Sequence, residues 1–265
     1  CEEMAMKQKK ETILIYLNRT ELGASEDNSH HEVKTSFFWE VEKGEIIAVE
    51  IEEGKTSDLL KNMSCPWSRT SRLNNEYKVM KFEEGFSLET NEKDKRWVAK
   101  FDGVLTCDEG VHRIQKELRV KGSAGIHTGH IVTKYSVVID EDVDSLTTIK
   151  TKGSLFVGGC VSNKVHLEVD QDLEVKEGVV GDNTSIHVGG DAYLNFIQES
   201  TVIAKGNISI QGYAFNAHIY SQGNILVEGR HVKVGDRGAI VGGVINSLKN
   251  MEIHSAGCGL NRTSL

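Results

Sequence analysis

IVTKYSVVI (131–139), IKTKGSLFV (149–157) and LEVDQDLEV (167–175) are three copies of one phrase. Three more follow: IHVGGDAYL (186–194), VIAKGNISI (202–210) and IYSQGNILV (219–227). Each reads apolar-x-(Thr/Val/Ala/Ser), then a polar bend that often holds glycine, then apolar-x-apolar. The copies start at Ile131, Ile149, Leu167, Ile186, Val202 and Ile219, a step that is nearly but not strictly constant. Self-similarity at a near-fixed period marks a repeat architecture in which each unit buries its face against the next.

Within each copy apolar and polar residues alternate, the period of a half-buried strand. Ile131, Thr133, Val137 and Ile139 face one way in the first copy, as do Val202, Ala204, Ile208 and Ile210 in the fifth. Between the halves sits a bend at Gly153, Gly190, Gly206 and Gly223, followed in turn by Ser154, Asp191, Asn207 and Asn224. Glycine accepts positive φ and a short polar side chain bonds its own backbone, so the pair reads as a turn. A further apolar cluster trails each copy: Val161, Val179 with Val180, Ile197, Ala214, Val232. One coil thus holds about three short strands and leaves no room for a helix. Coils stacked about 4.8 Å apart bury the inward residues as a continuous column.

The expected fold is all-β: a parallel β-helix, or β-solenoid, of six clear rungs. A seventh, degenerate rung lies in GAIVGGVI (238–245), with Gly242 and Gly243, and in residues 251–257. The pattern alone leaves the hand open. An apolar residue falls at every sixth position from Ile131 to Val179, as in left-handed hexapeptide helices. The register then breaks, and the coils become unequal in length, which favours a right-handed helix.

The expected division is a loose segment 1–11, a β-rich N-terminal domain or cap 12–110, the β-helix 111–258 and a tail 259–265. In the first half, TILIYL (12–17) reads as a strand. Residues 37–51 read as a hairpin turning at Glu42-Lys43-Gly44, with Glu40, Glu42, Glu45 and Glu50 on its wet face. Residues 23–34, with His30 and His31, read as a loop, and 56–74, with Cys65-Pro66-Trp67, as irregular. Residues 77–82, 86–89 and 97–105 read as further strands, with a charged turn at 91–95. A solenoid needs its first strand edges covered, so capping is the simplest role for this region.

Composition narrows the function. The 265 residues carry a net charge of −8 with no basic surface standing out, which disfavours a nucleic-acid partner. Aromatics make up 6%, too few for carbohydrate or base-stacking platforms. A single proline (Pro66) among 26 glycines suits stacked strands with glycine bends. The five cysteines (Cys1, Cys65, Cys107, Cys160, Cys258) are odd in number, widely spaced and without a CxxC, so neither a disulfide framework nor a zinc site is expected. Free, mostly buried thiols in a reducing compartment are the plain reading. No apolar run reaches transmembrane length and no signal peptide is present. Cys1 fits a fragment start or an expression scar better than the lipidated first residue of a lipoprotein.

The order of phrases resembles the flagellar assembly protein A (FapA) family of bacteria. The resemblance rests on GSAGIHTGHIVTKYSVVI (122–139), IKTKGSLFVGGCV (149–161), GDAYLNFIQESTVIAKGNISIQG (190–212) and the close at 219–253 with GNILVEG, GAIVGG and NMEI. It covers residues 95–258 well and the N-terminal part only loosely, in EVEKGEIIAVEI and VAKFDGVLT. It implies a right-handed parallel β-helix similar to the polymer-forming domains of the cell-division inhibitor MinC. It also implies cytoplasmic proteins with non-enzymatic scaffolding or regulatory roles linked to flagellar assembly, some tied to the sugar phosphotransferase system through a partner. Two departures stand: Lys55 to Trp67 replaces a glycine-rich stretch usual in the family, and this sequence lacks the coiled coil that tends to follow the helix.

The remaining constellations read as structural. His127 and His130 lie three apart on an expected strand and face opposite sides. His166, His187, His218 and His231 recur near rung starts at differing offsets, so an aligned ligand ladder is not expected. Asp140, Glu141, Asp142 and Asp144 read as a solvated loop without the turn that calcium needs. Arg230, Asp236 and Arg237 are the only candidates for pectate-lyase-like chemistry, and His218 or His231 for a hexapeptide-type acyltransferase. No paired carboxylates across a cleft, GxSxG, HExxH or P-loop context is present. The expectation is therefore a cytoplasmic, non-enzymatic β-solenoid, a scaffold or regulatory protein of flagellar assembly or polar organisation, that uses no cofactor and binds a protein partner through its β-helix or its N-terminal domain. The alternatives are a bactofilin-like self-assembling element and, further off, the acyltransferase. The positions of interest are structural: Gly153, Gly190, Gly206, Asn207, Gly223, Asn224, Gly242 and Gly243.

Overall fold

The computed structural model describes residues 12–16, 38–52, 70–71, 81–90, 92, 94–108, 111–229 and 239–257. Of residues 12–16, 51–52, 70–71 and 107–108 only the backbone is described. The expectations for residues 1–11, His30, His31, Cys65 to Trp67, Arg230 to Gly238 and the tail lie outside them. The described residues are all-β and contain no helix. They fall into two compact units, one holding Phe38–Lys116 and the other running from Glu117 onward.

The second unit is a β-solenoid. One parallel sheet stacks Glu117–Val120, Ser136–Ile139, Leu155–Val157, Leu173–Val180, Ala192–Gln198, Ile208–Ile210, Ile225–Val227 and Met251–Ile253. A second stacks Ile131–Thr133, Thr148–Thr151, His166–Val169, Ser185–Val188, Thr201–Ala204, His218–Ser221 and Val244–Ser247. A third column is a ladder of single inward residues, Ala124, Val143, Val161, Val179, Ile197, Ala214 and Ile240, ending on exposed Ala256. The first sheet makes about six turns over residues 117–227 and one more to Met251.

The core follows the period-two pattern. Ile131, Val137, Val143, Ile149, Leu155, Val161, Leu167, Leu173 and Val179, the every-sixth series, are all at most 1% exposed. Burying each such side chain contributes roughly 1.5–3 kcal/mol. One detail differs from expectation: Val180 points outward, because inward and outward alternate on its strand. After Ala214 the third column continues with Ile240, across the widest step, which runs from Ile219 to Ile245; Val232 lies outside the described residues.

The first unit holds two sheets. One is antiparallel, in the order Thr70–Ser71, Thr12–Tyr16, Ile46–Glu52, Asp94–Ala99, Phe86–Thr90. The other is Trp39–Val41, Gly103–Asp108, Val111–Gln115, Lys81–Phe82. Val41, Ile47, Phe86, Ala99, Leu105 and Ile114 form its core, and Phe82 stacks between Trp97 and buried His112. The expected hairpin is corrected. The turn is there, with Glu45 N–H on Glu42 O at 3.0 Å and Gly44 at φ 86°. Its two arms, however, join different sheets: Trp39–Val41 pairs with Gly103–Leu105, and Ile46–Glu52 with Thr12–Tyr16 and Asp94–Ala99. On the expected wet face only Glu42 is fully exposed, and Glu50 is paired with Lys95 at 3.2 Å. The expected strand 97–105 is two strands broken at Lys100 to Asp102. Val111–Gln115 was not expected, nor was Thr70–Ser71 inside the irregular stretch.

Candidate functional site

Each coil turns twice in ways that shape its surface. At the bend between the second and first sheets, a polar side chain accepts the backbone N–H of its counterpart one coil on. Ser154 N–H donates to Ser136 Oγ (3.1 Å), Asp172 N–H to Ser154 Oγ (3.3 Å) and Asp191 N–H to Asp172 Oδ1 (2.8 Å). Asn207 N–H then donates to Asp191 Oδ1 (2.6 Å), Asn224 N–H to Asn207 Oδ1 (2.9 Å) and Asn250 N–H to Asn224 Oδ1 (3.1 Å). Asn207 and Asn224 add an amide bond each, at 3.1 Å.

This ladder explains the glycines, and for a different reason from the expected one. Gly153, Gly190, Gly206 and Gly223 are not in the positive-φ region. They are small because the side chain below reaches up past them. A Cβ on Gly206 would sit against Asp191 Oδ1 and 2.6 Å from Gly190 O, and one on Gly153 would lie 2.5 Å from Ser136 N. The small residue before the bend ties it down: Thr151 Oγ1 donates to Tyr135 O, and Ser221 Oγ to Gly206 O.

Positive φ occurs at the other corner, three residues before the inward residue of each second-sheet strand after the first. It falls on Leu146 (66°), Lys164 (56°), Asn183 (59°), Glu199 (53°), Asn216 (47°) and Gly242 (70°). Gly243 follows at 78°. The residue between corner and strand is buried in Thr147, Val165, Thr184, Ser200 and Ala217.

The histidines and acids do not converge. His127 to His130 lie in a turn rather than a strand, with Thr128 Oγ1 bonded to Gly125 O, and His130 Nδ1 accepts from Thr148 N–H (3.1 Å). His166 and His187 do approach, ring centroids 6.0 Å apart, with Glu168 2.7 Å from His166 and bridged to Lys150 at 3.1 Å. The His166 bond first, then Lys150, holds the Glu168 carboxyl below its ordinary range. His218 is exposed at the start of its strand. Asp140 pairs with Arg119 (2.9 Å), and Asp142 Oδ1 accepts from Cys160 N–H (2.7 Å). Among the described residues no group of three or more His, Cys, Asp or Glu could hold a metal ion. Cys160 is free and half-buried, and its thiol donates to Glu177 at 3.2 Å. Burial, then that carboxylate, pushes the thiol up to about 11.

What the coils present outward is two flat faces of different character. On the first sheet one column runs Val138, Phe156, Glu174, Tyr193, Ser209, Leu226. Asp172 and Asp191 flank it, and the Tyr193 hydroxyl bonds Asp191 (3.3 Å). The Asp191 charge, then burial, raises the Tyr193 hydroxyl, with Asp172 and Glu174 adding to it. On the second sheet the column runs Val132, Lys150, Glu168, His187, Ile203, Tyr220, and Lys134, Lys152 and Lys205 follow its strands. Among the described residues no helix is long and apolar enough to cross a membrane.

No curated protein and no solved structure matches the chain. A family model does, over residues 116–264: the Flagellar Assembly Protein A beta solenoid domain. The match spans more than half of the chain and coincides with the stacked coils, so the chain belongs to the FapA family.

Proposed function

We propose that the chain is a non-enzymatic cytoplasmic scaffold of flagellar assembly that binds a protein partner through an outer face of its solenoid. The observation that carries this reading is the pair of outer faces, each presenting a regular column of outward side chains, exposed or half-buried, along the stack. The inward positions support it, because they hold packing residues such as Ile149, Leu173 and Ile208, and the polar side chains at the bends are engaged in bonds between coils. The family's link to flagellar assembly supplies the setting.

The test is retention of a protein by the tagged full chain in lysate of a flagellated bacterium, read by mass spectrometry against a bead control. One specific protein that reassociates with the purified chain supports the scaffold. Repeated failure to retain any, with the chain monomeric in sedimentation, overturns it.

A further inference from the structure

The two faces differ in charge, and that difference selects a partner. On the first sheet, Phe156, Tyr193 and Leu226 lie in one outward column, with Asp172, Glu174 and Asp191 in and beside it. Tyr193 is 48% exposed. Among the described residues the cations of this face include Arg119, bound to Asp140 at 2.9 Å, and Lys121 and Lys176 at the corner, fewer than the carboxylates Glu117, Asp172, Glu174, Asp191 and Glu252 along the same strands. On the second sheet the apolar residues Val132, Ile203 and Tyr220 share the face with Lys134, Lys150, Lys152 and Lys205, against the two carboxylates Glu168 and Asp170.

We propose that the first-sheet face docks a basic amphipathic helix of a partner protein, its apolar side on the Phe156–Tyr193–Leu226 column and its lysines or arginines on Asp172, Glu174 and Asp191. This rests on the scaffold reading and narrows it to one face and one partner chemistry. Charge complementarity sets the sign: the excess of carboxylates along the first sheet favours cations, while the second sheet, with more lysines than acids, does not. Length agrees. From Val138 to Leu226 the column crosses five coil steps, about 24 Å at strand spacing. A helix of about sixteen residues spans that distance. A rigid column with an aromatic anchor is the kind of surface such a helix lays its apolar stripe on. The raised Tyr193 hydroxyl agrees with the negative field along the column.

The test uses the full chain and a dye-labelled synthetic helix of about sixteen residues, leucines on one side and lysines on the other, with a twin carrying glutamates for lysines. Anisotropy titrations should show saturable binding of the lysine peptide, weakened by added salt, and none of the twin. F156S/Y193S/L226S should weaken binding about tenfold or more, while I203S/Y220S leaves it unchanged. D172N/E174Q/D191N keeps the apolar column and the polar ladder. It should abolish the preference for the lysine peptide even if the serine variant folds poorly. Equal binding of the twins, no saturable binding, or loss through the second-sheet variant alone overturns the proposal. So does sedimentation showing self-association that the serine variant removes, since the face then belongs to a second copy. A natural partner that the serine variant still retains sinks this face but leaves the scaffold standing, whereas retention of no partner sinks the scaffold itself.

Discussion

Leu146, Lys164 and Glu199 hold left-handed backbone that an L side chain adopts only at a cost of about 1 kcal/mol or more. They persist because the coils on either side fix the corner. Leu146 is 68% exposed, so its side chain contributes little packing. Leu146→Asn should therefore stabilise the chain by roughly 0.5–1 kcal/mol in urea denaturation, and a loss would refute the strain. This corner was not legible in the sequence: asparagine and glycine announce it at Asn183, Asn216 and Gly242, but leucine, lysine and glutamate do not. Cys160 makes a second residue-scale prediction. Its thiol is raised from 9.0 to about 11, so at neutral pH the thiolate is about a hundredfold scarcer than in an ordinary cysteine. Alkylation of the Cys160 peptide should be slower by that factor in the folded chain and faster in Glu177→Gln. The sign for Glu168 is opposite to that for the thiol. Its carboxyl is lowered, so the charged form favours the fold above the ordinary carboxylate range, and that contribution fades as pH falls through the lowered value. The stability gap between the native chain and Glu168→Gln should close on acidification, and a gap that widens would reverse the assignment.

The polar ladder is the element that holds one coil to the next at the bend. Asn207→Ala removes the acceptor for both Asn224 N–H and its amide. The loss should be roughly 1–3 kcal/mol, with Asn207→Asp losing less because a carboxylate still accepts. Gly206→Ala should be worse than a glycine-to-alanine change at an ordinary bend, since its Cβ meets the Asp191 side chain and the Gly190 carbonyl. Asp191→Ala loses the ladder bonds to Asn207 in its own right, but in that background Gly206→Ala should cost less than in the native chain and still something, because the carbonyl remains; no cost there would remove the backbone from the account. The glycine-polar pair was legible as a bend, while its cause was not. The sequence shows a residue beside its chain neighbour, whereas the constraint comes from a residue a full coil earlier, as Asp191 is to Asn207 and Asp172 to Asp191. The same blindness produced the false hairpin, where Glu42-Lys43-Gly44 turns locally but the arms pair with distant strands.

At the scale of the whole molecule the fold was legible because two periods coincide, the alternation within a strand and the longer return from coil to coil. Together they place Ile149 and its stack neighbours Ile131 and Leu167 inside before any contact is known. Ile149→Ala should cost roughly 2–5 kcal/mol. In a stacked array the damage should spread to adjacent coils first, read as hydrogen-exchange protection lost around 131–133 and 166–169 before 218–221. The last rung was legible too: the degenerate coil read at 238–245 and 251–257 supplies Val244–Ser247 to the second sheet and Met251–Ile253 to the first, although the step to it, from Ile219 to Ile245, is the widest. The outer faces were legible only in part: the alternating polar residues were plain, but their sorting into an acidic side and one richer in lysine depends on which strand of each phrase joins which sheet.

The ladder of side chains has a direction. Each polar group accepts from the coil that follows it in the chain, from Ser136 through to Asn224. A coil wound one position out of step would turn its apolar set outward and at the same moment miss the waiting oxygen below. The chain thus checks its own winding once per turn, at a site separate from the core, and a misplaced coil is betrayed twice. That is why coils of unequal length can follow one another without the error of one being handed to the next.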